Sequence, residues 1–233
     1  MADIKKGTLY GVGVGPGDPE LLTVKAVRLL QCCPVIAAPE TRSGETLALD
    51  IVRQALPLAG KTILPLYFSM ERDRALIRAA HERAADAIQG HLDGGEDVAM
   101  LNLGDVSIYA TWGYVMELVR GRGYETAMVP GIPSFCAAAS RLDATLVSWG
   151  SSLHVIPVGK GPLGPQLVQP GAKVLMKAGA RLPQVVEELR QAGQLGRAVL
   201  VENCGLPGER VCTDLEHCPE GAGYFATVIV KEK

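Results

Sequence analysis

Apolar runs of strand length alternate along this chain with segments that carry apolar residues every third or fourth position. Thr8 to Gly13 opens as an apolar strand. Leu22, Ala26, Leu29 and Cys33 then fall on one helical face. Pro34 to Ala38 reads as a short buried strand, Glu45 to Ala55 as a helix and Lys61 to Leu66 as a strand. A long helix follows, with Leu76, Ala80, Ala84, Ile88 and Leu92 on one face; Gly94-Gly95 stops it. His81 and His91 are expected at solvated positions of that helix. Val98 to Leu101 is fully apolar, and Trp112 to Arg120 is a short helix. This rhythm predicts an α/β protein whose first sheet is parallel and covered on both faces.

The helix at Trp112 is broken by Gly121-Arg122-Gly123, and a domain boundary is expected there, giving domains 1–119 and 120–233. The second half has candidate strands at Thr126–Val129, His154–Val158, Lys173–Met176, Ala198–Glu202 and Phe225–Val230. Its candidate helices are Ser134–Arg141 and Pro183–Ala192. Lys160 to Gly171 is rich in Gly and Pro and reads as a loop. No long internal repeat or low-complexity tract is present.

Composition narrows the classes. The chain has 233 residues, 48% hydrophobic and 21% charged, with net charge -2. That balance suits a soluble protein with a substantial core and argues against broad nucleic-acid binding. No apolar run is long enough to span a bilayer, and the N-terminus lacks a signal peptide's apolar stretch. Cys32, Cys33, Cys136, Cys204, Cys212 and Cys218 form no Cys-x-x-Cys pair. They are read as mainly reduced thiols of a cytoplasmic protein. Cys and His show no zinc spacing; His217, Cys218 and nearby Cys212 are a partial exception. No protein-bound metal is expected.

The chemistry concentrates where side chains disappear. Gly11-Val12-Gly13-Val14-Gly15-Pro16-Gly17-Asp18-Pro19-Glu20 turns from strand to helix, with Asp18 as expected N-cap and Pro19 at the first helical position. Bare glycine backbone admits a ligand closely. The dinucleotide pattern G-x-G-x-x-G fails from both Gly11 and Gly13, where Pro16 and Asp18 occupy the third glycine slot. A phosphate loop at Gly60-Lys61-Thr62 also fails, because Ala55 stands where its first glycine belongs. Leu103-Gly104-Asp105-Val106-Ser107-Ile108-Tyr109 ends the strand at Val98. Val129-Pro130-Gly131-Ile132-Pro133-Ser134 leads into a helix whose free N–H groups suit a carboxylate. Ligands of such sheets bind beyond the carboxyl ends of the strands.

The glycine string through Thr23 resembles the first motif of the tetrapyrrole methylases, S-adenosylmethionine (SAM) enzymes of cobalamin and sirohaem synthesis. Leu103 to Tyr109 resembles that family's Gly-Asp-Pro-x-x-Tyr motif, with Val106 in place of proline. Val129 to Phe135 resembles its Pro-Gly-x-x-Ser motif. The resemblance runs through nearly the whole chain. It implies a two-domain architecture, a mostly parallel N-terminal sheet and a mixed C-terminal sheet, with SAM in the cleft between the domains.

The same resemblance implies roles. Cofactor contacts fall to Pro16, Leu103, Gly104, Asp105, Ile108, Thr111, Ser134, Met176, Asn203 and Cys204. Substrate contacts fall to Gly15, Pro16, Arg42, Arg72 and Arg74, with Lys160 and Arg210 as further basic candidates. Within the family, Ser69 to Arg74 resembles the branch that methylates C20 of precorrin-2 or its cobalt complex. Ala38-Pro39-Glu40 stands where uroporphyrinogen-methylating relatives have Tyr-Asp-Arg. Glu40 and Tyr109 are candidates to accept the meso proton. A homodimer is implied as well. Two rivals are a nucleotide-dependent oxidoreductase and a non-catalytic tetrapyrrole carrier; a third reading is another methylase of the corrin pathway.

Overall fold

The computed structural model describes residues 5–41, 44, 46–68, 73–218 and 221–232. Two compact units form, Met1–Pro133 and Ser134–Lys233. The first contains β1 (Thr8–Gly13), α1 (Val24–Cys32), β2 (Val35–Glu40), α2 (Leu47–Ala55), β3 (Thr62–Tyr67), α3 (Arg74–Asp93), β4 (Val98–Asn102), α4 (Trp112–Gly121) and β5 (Glu125–Val129). Its five strands lie in the order β3-β2-β4-β1-β5, and all pairs are parallel.

Side-chain alternation sorts the two faces. Ala99 and Leu101 of β4 pack with Ala26 and Leu30 of α1 and Leu49 and Val52 of α2. Val98 and Met100 face the other way, onto Ile88 and Leu92 of α3 and Trp112 and Val115 of α4. Burial on both faces explains why β4 reads as an unbroken apolar run. Lys61 closes one corner, donating from Nζ to the carbonyls of Gln31 at 2.8 Å and Cys33 at 2.7 Å. A cation there complements the negative end of α1.

Several expectations shift. The strand at 125–129, assigned above to the second half, is β5 of the first sheet. It runs beside β1 from Thr8–Glu125 to Val12–Val129. Gly121-Arg122-Gly123 is therefore the helix-to-strand turn of a β-α-β unit, and the break between compact units comes at Pro133. Asp18 caps only a single 3-10 turn, Pro19–Leu21, accepting from the Glu20 N–H at 2.8 Å. Leu22 is extended, and α1 starts again under Thr23, whose hydroxyl accepts from Ala26 N–H at 3.1 Å. The four residues of the expected face still share one core, Leu22, Ala26 and Cys33 buried and Leu29 partly so, but Leu22 precedes α1, Cys33 just follows it, and Leu30 joins them.

His81 is not solvated. It stacks on Tyr114 with ring centroids 4.9 Å apart and meets Phe68 at 5.8 Å. Burial lowers its pKa and so favours the neutral ring. The buried stripe of α3 is wide because the helix touches both the sheet and α4, and position 81 falls on the α4 side. His91 instead pairs with Glu96 at 2.7 Å.

The second unit contains α5 (Ser134–Arg141), β6 (Leu153–Pro157), α6 (Gly164–Leu167), β7 (Ala172–Met176), α7 (Leu182–Gln191), β8 (Ala198–Glu202), β9 (Arg210–Cys212) and β10 (Ala226–Val230). The sheet order is β6-β7-β10-β8-β9. β6 and β7 are parallel; β10 is antiparallel to β7 and β8, as is β9 to β8. One face packs Leu175, Leu200 and Val228 against Leu182, Val185 and Leu189 of α7. The other packs Val201 and Ile229 against Ala138 of α5. The Gly/Pro-rich stretch read as loop holds the short helix α6, which buries Leu167 in the first of these cores. No helix among the described residues is long and apolar enough to cross a membrane.

Candidate functional site

In the first unit, the three motif segments meet at the carboxyl edge of the parallel sheet. β1 runs out at Gly13, and Val14 N–H donates to Asn102 O at 2.9 Å. Gly15 and Gly104 then form an antiparallel bridge, with Gly104 N–H to Gly15 O at 2.8 Å and Gly15 N–H to Gly104 O at 3.3 Å. The third segment closes against them. A Cβ on Gly131 would stand 2.2 Å from Gly104 O and 2.7 Å from Gly13 C; one on Gly13 would stand 2.5 Å from Gly131 N. Three backbones therefore cross at distances only glycine permits. Gly11 has a separate reason, since its Cβ would enter the Trp112 ring at 2.4 Å.

Asp105 ties the crossing together. Its Oδ2 accepts from Gly131 N–H at 2.9 Å, and its Oδ1 accepts from Ser107 N–H at 2.8 Å and from the Ser107 hydroxyl. Burial alone would raise its pKa, but these donors prevail and hold the carboxyl below the usual aspartate range. The acid thus points inward, and what the edge presents is backbone and neutral side chains: Leu103, Gly104 and Ile108. An added Cβ at Gly104 would meet only Ile132 O, at 3.9 Å, so that side of the junction is open.

Asp105→Ala should cost about 1–3 kcal/mol, because it strands the buried Gly131 N–H. Since the folded-state pKa is depressed, this stabilisation is present above the ordinary aspartate value of about 3.9 and fades as pH falls through it toward the folded value. Urea titrations of both proteins at neutral and acid pH would check this: the gap should close below pH ~4.

The register shows where the edge opens. β2 pairs with β4 only from Val35 to Ala37, yet stays with β3 as far as Glu40. Past Ala37 and Met100 the two strands separate. From β2 the chain leads to β3 on one side, and from β4 it leads to β5 on the other. Such a switch point is where crevices form in open α/β sheets. Glu40 ends the strand on one side of the gap and Asn102 the strand on the other. Tyr109, about half exposed, follows in a left-handed conformation, φ 51°. Thr111 immediately precedes α4. Gly15 and Pro16 are buried in the turn, and Arg74 is the exposed first residue of α3 behind its N-cap Asp73. Arg42 and Arg72, with most of the Ser69–Arg74 segment, lie outside the described residues.

In the second unit, Met176 ends β7, opposite Thr227 of β10, and Asn203 and Cys204 follow β8. β10 lies between these two strands and holds both ends: Ala178 N–H donates to Ala226 O at 3.0 Å and Asn203 N–H to Phe225 O at 3.4 Å. Ser134 is the first residue of α5. Lys177 and Asn203 both have positive φ, 60° and 52°. Among the described residues four non-glycines do so, and Tyr109, Lys177 and Asn203 all lie in or beside the expected cofactor segments; strain of this kind concentrates at functional sites. Cys204 packs beside Ala138, Val201 and Ile229.

Arg210, read from the sequence as a residue in or near a loop that could bind a substrate carboxylate, is the first residue of β9. It pairs with the buried Glu202 at 2.7 Å, and Glu202 also accepts from Gly223 N–H. Strand pairing of Glu202 with Arg210 places them side by side. This pair, the Asp105 lock and the Gly11–Trp112 contact were missed in the sequence. Only the alternate glycines signalled one of them. Among the described residues no group of three or more His, Cys, Asp or Glu is placed to hold a metal.

Comparison with known proteins bears on the family and the fold. A family model described as Tetrapyrrole (Corrin/Porphyrin) Methylases matches residues 8–218. Cobalt-precorrin-2 C(20)-methyltransferase of Salmonella typhimurium is 32% identical over 97% of each chain. Precorrin-2 C(20)-methyltransferase of a Sinorhizobium species is 33% identical over 99% of this chain and 97% of the relative. A uroporphyrin-III C-methyl transferase from Thermus thermophilus, solved complexed with S-adenyl homocysteine, superposes with TM-score 0.68 at 26% identity, covering 97% of this chain and 98% of that one. A cobalt precorrin-4 methyltransferase structure, at 22% identity and TM-score 0.78 over 96% and 94% of the two chains, shares the fold. With the match running from β1 to the turn after β9, the chain belongs to the tetrapyrrole (corrin/porphyrin) methylases.

Proposed function

We propose that this chain transfers the methyl group of SAM to C20 of precorrin-2, or of its cobalt complex, in cobalamin biosynthesis. The near-full-length likeness to two C20 enzymes supports the substrate class. The observation that carries the chemistry is the glycine crossing with Asp105 turned inward. SAM supplies an electrophilic methyl on a sulfonium whose positive charge is lost in the transition state. A carboxylate against it would favour the ground state and slow transfer. Here the acid of the motif is engaged with Ser107 and Gly131, and its neighbours Leu103, Gly104 and Ile108 are neutral. The residues present fit the cofactor.

Leu103, Gly104, Asp105 and Ile108 would hold it through backbone, joined by Pro16, Thr111, Ser134, Met176, Asn203 and Cys204. Alignment of the methyl with the attacking carbon is the main contribution asked of them, a term worth up to roughly 7–11 kcal/mol in well-oriented systems. Glu40 and Tyr109 are the groups proposed to take the meso proton, and Gly15, Pro16, Arg42, Arg72 and Arg74 those that meet the substrate. Cobalt, where present, sits in the macrocycle as part of the substrate. We place the enzyme in the cytoplasm as a homodimer, which light scattering at micromolar concentration checks.

The experiment is an assay of the purified protein with SAM and either ring. One methyl added to the cobalt-bound ring is the expected result. Transfer to the metal-free ring alone would reverse the route, and transfer to neither would refute the reading.

A further inference from the structure

We propose that the side-chain oxygen of Asn102 accepts a hydrogen bond from an N–H or O–H of the bound cofactor; the inference rests on the reading of this edge as the SAM site. Asn102 ends β4, and alternation along the strand puts it on the same face as Val98 and Met100, toward α3 and α4. Its two strand neighbours leave it uncovered sideways. On one side its register partner is Gly13, which has no side chain. On the other, β2 has already parted from β4 at Ala37 and Met100. Yet only 5% of the residue is exposed.

The amide is half satisfied. Its nitrogen donates to Met100 O at 3.1 Å. A carbonyl can bond only the NH2 end of an amide, so the other end is the oxygen. That oxygen has no donor among the described residues. The N–H groups of the junction are engaged elsewhere: Gly104 on Gly15 O, Val14 on the backbone carbonyl of Asn102 itself, Gly131 and Ser107 on Asp105. The Trp112 indole N–H, in the same layer, is sealed and has no partner either, so the two do not satisfy one another.

A nearly buried acceptor that is held in place without a donor is rare in a folded interior and calls for a reason. This one directly precedes Leu103, Gly104 and Asp105, the segment proposed to hold the cofactor through backbone. SAM carries donors of the right kind, its ammonium and its ribose hydroxyls. A neutral amide oxygen can serve such a donor without setting a carboxylate near the sulfonium, whose charge must be lost in the transition state.

Asn102 and Asn203 are the only two asparagines of the chain, so protein made with asparagine labelled by carbon-13 at the side-chain carbonyl gives two such signals. Replacing either residue by aspartate tells which signal is which. S-adenosylhomocysteine keeps the donors of SAM and lacks the sulfonium charge. Adding it should move the Asn102 signal downfield, as a carbonyl does on gaining a hydrogen bond. In calorimetry Asn102→Leu should bind S-adenosylhomocysteine about tenfold more weakly. Asn102→Asp loses the bond to Met100 O as the leucine does, but keeps an acceptor, and should recover most of the loss. A purely structural role would leave the two variants alike. Urea midpoints report whether each is folded, and the carbon-13 shift decides the matter on the unmodified chain should the leucine variant not fold. An unmoved Asn102 signal in protein that binds S-adenosylhomocysteine would overturn this proposal alone. So would a folded Asn102→Leu protein of wild-type affinity, or equal losses in the two variants. No binding by the unmodified chain would overturn the cofactor reading, and this inference with it.

Discussion

Gly131→Ala is expected to weaken SAM binding by at least about a hundredfold, which at roughly 1.4 kcal/mol per factor of ten is about 2.8 kcal/mol. The new methyl would lie 2.2 Å from Gly104 O, a distance that forces backbone to move, and the backbone that must move is the proposed cofactor edge. Gly90→Ala is the control. Nothing lies within 4 Å of that Cβ on α3, and a helical Gly→Ala change should stabilise by about 0.5–1 kcal/mol with binding untouched. Should Gly131→Ala fail to fold, Gly104→Ala separates the effects. Its Cβ has room, but φ is 72°, so the cost of about 1–3 kcal/mol falls on the conformation of one turn. Titration calorimetry with SAM on folded protein is the readout. Wild-type affinity in a folded Gly131→Ala protein would remove the site from this edge.

Arg210→Ala is expected to give the largest loss of stability, about 2–3 kcal/mol. Breaking a fully buried pair costs about 3–5 kcal/mol, and the figure is lower here because Arg210 keeps a quarter of its exposure. What makes the loss large is the Glu202 carboxylate left behind: its side chain is 8% exposed and would retain only the Gly223 N–H among the partners described above. Adding Glu202→Gln should recover part of the loss by removing that charge. Urea unfolding of the two variants checks both statements. If Arg210 instead held a substrate carboxylate, Arg210→Ala would raise KM and leave the unfolding midpoint where it was. Because Asn203 directly follows Glu202 and sits at φ 52°, the same pair fixes the strand end proposed to meet the adenine.

The parallel sheet was legible because the runs Val35–Ala38 of β2 and Val98–Leu101 of β4, buried on both faces, have no polar positions to blur them. The motifs could be quoted residue by residue, but not their mutual contact. That Asp105 reaches Gly131, 26 residues away, depends on β5 returning beside β1. A glycine break after α4 looks the same in sequence whether it ends a domain or turns into the next strand, so β5 was placed on the wrong side. His81 was misjudged because apolar periodicity identifies one buried stripe, and α3 has two neighbours. β9 was missed altogether: three residues with a charged start and a cysteine end carry no period. Arg210 then read as loop charge when strand pairing had already committed it to Glu202.

The central claim is a single methylation at C20. The most direct measurement is NMR of the tetrapyrrole made with SAM labelled with carbon-13 in its methyl group. One labelled methyl on the C20 meso carbon is the predicted result. A label at any other ring position, or more than one, would contradict the account and move the chain to a different branch of its family.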